Sequence, residues 1–131
     1  MKFNMLSRPL VSLSALAFCC GVSAQDFTLK AGESTDLNPV YWVRNCQSLL
    51  KSFIGVDVLE GPPNTELTIR EESVLPTRQG CPNRVPGGMV VLKLKPDAAK
   101  FEGPIKYRVR YNTEEGEKQS SHSRTINIVP N

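Results

Sequence analysis

The sequence predicts an all-β fold, a small antiparallel sandwich or barrel stapled by one disulfide. Three observations predict it. Beyond residue 25, apolar residues recur at every second position rather than at helical spacing. Gly, Pro and Asn clusters interrupt that alternation about every ten residues. Two cysteines, Cys46 and Cys81, remain once an N-terminal export leader is set aside.

The leader comes first. Met1 to Arg8 carries Lys2 and Arg8 and no acid, and the run Leu10 to Cys20 is mostly apolar. Val22-Ser23-Ala24 then supplies a small-x-small cleavage site. This is the plan of a secretory signal peptide, so residues 1–24 are expected to be removed. Residues 25–131 form the expected domain, in the periplasm or secreted. The apolar run, about a dozen residues, is short for a membrane anchor. Lipidation at Cys19 or Cys20 is the alternative, although Phe18 and Cys19 stand where a lipidation site wants a small residue. No later segment is long and apolar enough to span a membrane.

Lys2 and Arg8 leave with the leader, so the net charge of +3 falls by two to +1. A nearly neutral domain is poorly matched to a nucleic acid. An even cysteine pair in an exported chain is expected to be a disulfide, Cys46–Cys81. It closes a loop of about 36 residues, for which chain entropy predicts about 3.8 kcal/mol of stabilisation. Two cysteines without a neighbouring histidine make a poor metal site. There is no calcium-loop spacing, and Met89 alone makes no copper site. No cofactor or metal is expected.

The elements follow in order. Asp26 to Lys30 reads as a first strand and Ala31-Gly32 as a turn. Val40-Tyr41-Trp42-Val43 is aromatic and β-branched and leads to Cys46. Leu49 to Ile54 is ambiguous between a helical turn and a loop. Val56 to Leu59 alternates and stops at Gly61-Pro62-Pro63-Asn64, a strong turn signal. Glu66 to Arg70 alternates again. Residues 72–88 read as a long connection rich in Pro and Gly, ordered by its anchor at Cys81. Met89 to Lys95 is a strand with Val90, Leu92 and Leu94 on one face. Pro96 to Gly103 reads as a loop. Ile105 to Tyr111 is the clearest strand, with Ile105, Tyr107, Val109 and Tyr111 on one side. Its other side carries Lys106, Arg108 and Arg110, a wet face of the antiparallel kind. Asn112 to Glu117 is a hairpin loop around Gly116. Ser121 to Val129 is the last strand, with Ile126 and Ile128 on one face.

The order of these pieces resembles a set of small bacterial periplasmic proteins with an immunoglobulin-like or cadherin-like fold, largely uncharacterised. The residues that carry the resemblance are Cys46, Gly61-Pro62-Pro63-Asn64-Thr65, Cys81, Arg84-Val85-Pro86-Gly87 and Leu94-Lys95-Pro96. They continue with Phe101-Glu102-Gly103, Tyr107-Arg108-Val109 and Thr125 to Val129. The resemblance implies a single Ig-like β-sandwich and supplies no catalytic residues. Two positions depart from the pattern. Pro104-Ile105 stands where the family has Asp-x-Phe, and Asn64 replaces the Gly of the first turn. Asn tolerates positive φ, so that turn survives.

Three surfaces are candidates for function. The first is the stripe Lys106, Arg108 and Arg110, with same-face spacing of about 6.6–6.8 Å that suits a linear anion. Lys93 and Lys95, or Arg124, extend it if their strands pair alongside; cross-strand acids would instead neutralise it. The second is Tyr41 and Trp42, a sugar-stacking platform if exposed. Burial of Trp42 near the disulfide is the expectation, as in many Ig domains. The third is the 72–88 loop, whose rigidity suits an inhibitor of a secreted or periplasmic hydrolase. His122 is the sole histidine and lies in Ser120-Ser121-His122-Ser123 with no nucleophile motif around it. The expected function is a non-enzymatic binding or interaction module of the bacterial envelope, meeting an anionic polymer or an envelope protein.

Overall fold

A computed structural model describes residues 26–130. The expected leader, with its cleavage site and Cys19 and Cys20, lies outside the described residues.

The period-two segments all form strands. They are β1 (Asp26–Lys30), β2 (Ser34–Val40), the short pair β3 (Val43–Arg44) and β4 (Gln47–Ser48), and β5 (Leu50–Glu60). Then come β6 (Thr65–Val74), a 3₁₀ turn at Thr77–Gln79, β7 (Val85–Leu94), β8 (Phe101–Thr113) and β9 (Gly116–Val129). One sheet runs β1-β9-β8-β5 and the other β2-β7-β6. All pairings are antiparallel except β1 on β9. β2 lies beside β7, and β5 beside β8, so the chain crosses repeatedly between sheets. This is the Greek-key order of an immunoglobulin-like sandwich.

The core is where the two inner faces meet. Val90, Leu92 and Leu94 of β7 face Ile105, Tyr107 and Val109 of β8 and Ile126 and Ile128 of β9. All of these are 0–1 % exposed. Burial of one such aliphatic side chain is worth about 1.5–3 kcal/mol, so two or three of them match the staple. The staple, Cys46–Cys81 with Cα atoms 5.5 Å apart, therefore adds to a core that is substantial by itself.

Three segments differ from expectation. The connection read at 72–88 spans only residues 75–84, because Glu71 to Val74 pair with Gly88 to Val85. Pro86 is tolerated in β7 because the β2 ladder ends at Val40–Gly88, leaving one side of β7 without a partner there. Gly87 and Gly88 serve close approach rather than a turn. A Cβ on Gly87 would meet Val74 Cγ2 at 2.6 Å, and one on Gly88 would meet the Phe53 ring at 2.7 Å. Leu50 to Ile54 belong to β5, where Phe53 sets its ring edge against Tyr111 at 6.3 Å. Phe101 to Gly103, read as loop, open β8.

The turns carry their expected chemistry. Asn45 and Cys46, both with positive φ, form the two-residue turn between β3 and β4. Asn64 has φ +63°, so the substituted turn does form. No helix among the described residues is long and apolar enough to cross a membrane.

Candidate anion-binding cleft

The cationic stripe is real and neutralised. Lys106, Arg108 and Arg110 lie on the outer face of β8, as their alternation predicts. Register places Asp57 of β5 opposite Arg108 and Glu60 opposite Lys106. Asp57 Oδ2 accepts from Arg110 Nε at 2.9 Å and Arg108 Nη2 at 3.2 Å, and Glu60 lies 3.5 Å from Lys106 Nζ. Hydrogen bonds from Arg110 and then Arg108 hold the Asp57 carboxyl below its ordinary pKa. These cations already have partners across the strand.

The proposed extensions do not join the stripe. Lys93 lies on β7 in the other sheet, and Lys95 just beyond its end. Arg124 is in the same sheet but opposite Ile105, so it points inward. The parity that buries Ile126 and Ile128 also turns Ser120, His122 and Arg124 toward the interior.

These inward polar groups lie beyond the part of β9 that the described residues of β1 cover. Among the described residues, β1 covers β9 from Thr125 to Val129. Beside the uncovered part lies a cleft of about 390 Å³, between β2 and β9. Asn38, Ser120, His122 and Arg124 line its depth, and Tyr41 and Trp42 its apolar side. Thr77, Arg78 and Gln79 reach it from the 3₁₀ turn. That turn is held by Gly80 N–H donating to Thr77 O at 3.1 Å and by the disulfide at Cys81. No acidic residue is among the described residues lining the cleft.

The electrostatics are one-sided. Arg124 Nη2 donates to Leu37 O at 3.3 Å, while its Nε is buried with no partner among the described residues. His122 lies with its ring tilted over Tyr107 at 5.4 Å, and its Nε2 is 2.9 Å from Ser120 Oγ. Burial, then Arg124 and Arg78, push its pKa below the ordinary 6.5, so the ring is neutral at pH 7. Tyr107 donates to Asn38 Oδ1, and burial pushes its phenol up to about 12. Asn38 Nδ2 donates to Pro39 O at 3.0 Å, which fixes the floor. A Ser120–His122 pair resembles the start of a nucleophilic dyad, but no carboxylate orients the ring among its described partners. No cluster of three metal-ligating side chains occurs among the described residues.

Trp42 is half-buried rather than a core residue. Its Nε1 donates to Glu115 Oε1 at 2.8 Å, and Lys118 Nζ sits 4.9 Å over the ring. Sequence does not single out Arg78 or Asn38, which reach the cleft only through topology. Ser120 and Arg124 were legible in principle, as polar residues continuing the parity of a core face. No protein-family model matches this chain, and no curated protein matches it.

Proposed function

We propose that the chain is an exported, non-enzymatic binding module of the bacterial envelope whose ligand places an anionic group in the cleft beside Arg124. The observation that carries this reading is the buried, unpartnered Nε of Arg124. A buried donor left unmade costs about 1–3 kcal/mol, and a ligand oxygen would recover that. Arg78 at the rim and neutral His122, able to donate or accept, add to the attraction. None of the described residues lining the cleft is acidic, which leaves the positive charge available. The ligand group is a carboxylate or phosphate, carried by an envelope polymer or an envelope protein.

Titration with inorganic phosphate and acetate, followed by NMR at the single histidine and the arginine side chains, tests this. Saturable shifts at His122 and Arg124, weakened about tenfold or more in Arg124→Gln, are expected. Shifts that centre on Arg108 and Arg110, or persist unchanged in Arg124→Gln, overturn it.

A further inference from the structure

The cleft opens onto a sheet edge. Among the described residues no strand pairs with the outer side of β9 between residues 116 and 124. Resting on the anion-binding reading, we propose that this edge takes an extended peptide segment as an added strand, with an acidic side chain of that segment entering the cleft to meet Arg124.

The edge is regular. Its ladder with β8 keeps one register from Phe101–Ile128 to Thr113–Gly116. The opposite edge of the same sheet, β5, is irregular at three places, between Leu50 and Ser52, Phe53 and Gly55, and Val58 and Glu60. Bulges of that kind discourage pairing, so β9 is the edge that can accept a strand. β1 already shows the geometry, pairing in parallel with Thr125 to Val129. A peptide beside residues 116–124 would lie about 4.7–4.9 Å from β9 and continue the same sheet.

Parity decides what the peptide must carry. Inward side chains of an added strand share the face of Ser120, His122 and Arg124 and recur about every 6.6–6.8 Å. One inward carboxylate is therefore placed beside the Arg124 guanidinium, and the next, one same-face step along, beside His122. The uncovered stretch, Gly116 to Arg124, has no large apolar residue, so hydrophobic strands and second copies of this edge gain little from it. Charge complementarity selects an acidic extended segment.

The test uses an end-capped seven-residue peptide of alternating glutamate and valine, added to the purified chain. Two further forms carry N-methyl groups on one or the other alternate set of amides, which keeps the charge but removes one edge of hydrogen bonding. The expected result is binding of the parent with slowed amide exchange within 116–124, and a tenfold or greater loss in only one methylated form. Equal retention or equal loss in both methylated forms overturns strand addition, as does protection that maps to β5. A lysine-for-glutamate peptide that binds as well as the parent overturns the acidic requirement and with it the proposal. Inorganic phosphate runs in parallel. Phosphate binding without strand-edge protection removes this inference and leaves the cleft reading intact, whereas silence from both probes removes both.

Discussion

Two rows of basic residues lie on one sheet and face opposite ways. On the outer face of β8, Lys106, Arg108 and Arg110 each have a carboxylate partner on β5. On the inner face of β9, Arg124 and His122 meet a carbonyl, the hydroxyls of Ser120 and Tyr107 and an aromatic ring, with no carboxylate partner among the described residues. The outer row is the more conspicuous in sequence and the less available in space. The other sheet repeats the pattern, with Arg70 held between Asp36 at 2.9 Å and Glu72 at 2.5 Å, which raise its pKa. Exposed pairs of this kind contribute little to stability. They do consume the charge that a ligand would need. Availability therefore depends on what stands opposite a cation, not on how many cations share a strand.

The largest expected effect separates the two rows by their dependence on the staple. Replacing both Cys46 and Cys81 by Ser removes about 3.8 kcal/mol by loop entropy. The buried core is expected to keep the chain folded near room temperature with a clearly lowered Tm. Thr77 to Gln79 lose their anchor, so amide exchange rises over residues 75–84 and phosphate affinity falls with the displacement of Arg78. The Asp57 ladder, whose partners lie on β5 and β8, is expected to stay protected. Equal loss of exchange protection in both regions would break the comparison.

A smaller effect probes the cleft floor. Tyr107→Phe leaves Asn38 Oδ1 without its donor in a buried site. The expected loss is about 1–3 kcal/mol in denaturant unfolding, with an unchanged m-value. A neutral result would show that the floor readjusts.

Smaller still in stability, Asp57→Asn sharpens the comparison by unmasking the outer row. If pairing alone silences Arg108 and Arg110, the variant gains salt-sensitive retention on an anionic resin. Retention like that of the wild type would mean that the outer row was available all along. The pH dependence of the wild type follows the same ion pair. The Asp57 pKa is lowered in the folded chain, so its contribution is present above the ordinary 3.8 and is lost as pH falls through the lowered value.

The fold was legible because its signals are local. Alternation in Ile105 to Tyr111 needs no knowledge of neighbours to predict one buried and one wet face, and both are observed. Gly87-Gly88 misled because glycine marks a turn and a close approach equally well; only the Val74 and Phe53 side chains decide between them. The site was less legible for a related reason. The stripe on β8 is visible within one strand, but its neutralisation by Asp57 depends on register with β5. The cleft needs more still: the pairing of β1 with β9 must begin only at Asp26–Thr125, and a disulfide must bring Arg78 across from another loop. One clue was present. Ser120, His122 and Arg124 share the parity of Ile126 and Ile128, and polar residues on a core face mark where the core opens.

The smallest effect is the most diagnostic, because His122 is the only histidine and reports from inside the cleft. Burial and the two nearby arginines disfavour its charged form, so the free chain should titrate below 6.5. The sign for stability follows. The unfolded chain takes up the proton first as pH falls through 6.5, so the folded state loses stability from there down to the lowered pKa and no further. A bound anion reverses the local field and stabilises the imidazolium. The histidine pKa should therefore rise on adding inorganic phosphate, and by linkage a given ionic form of phosphate should bind more tightly to the protonated ring than to the neutral one. No change in the His122 titration with phosphate present, or a further fall, would place the anion elsewhere and leave the inner row as silent as the outer one.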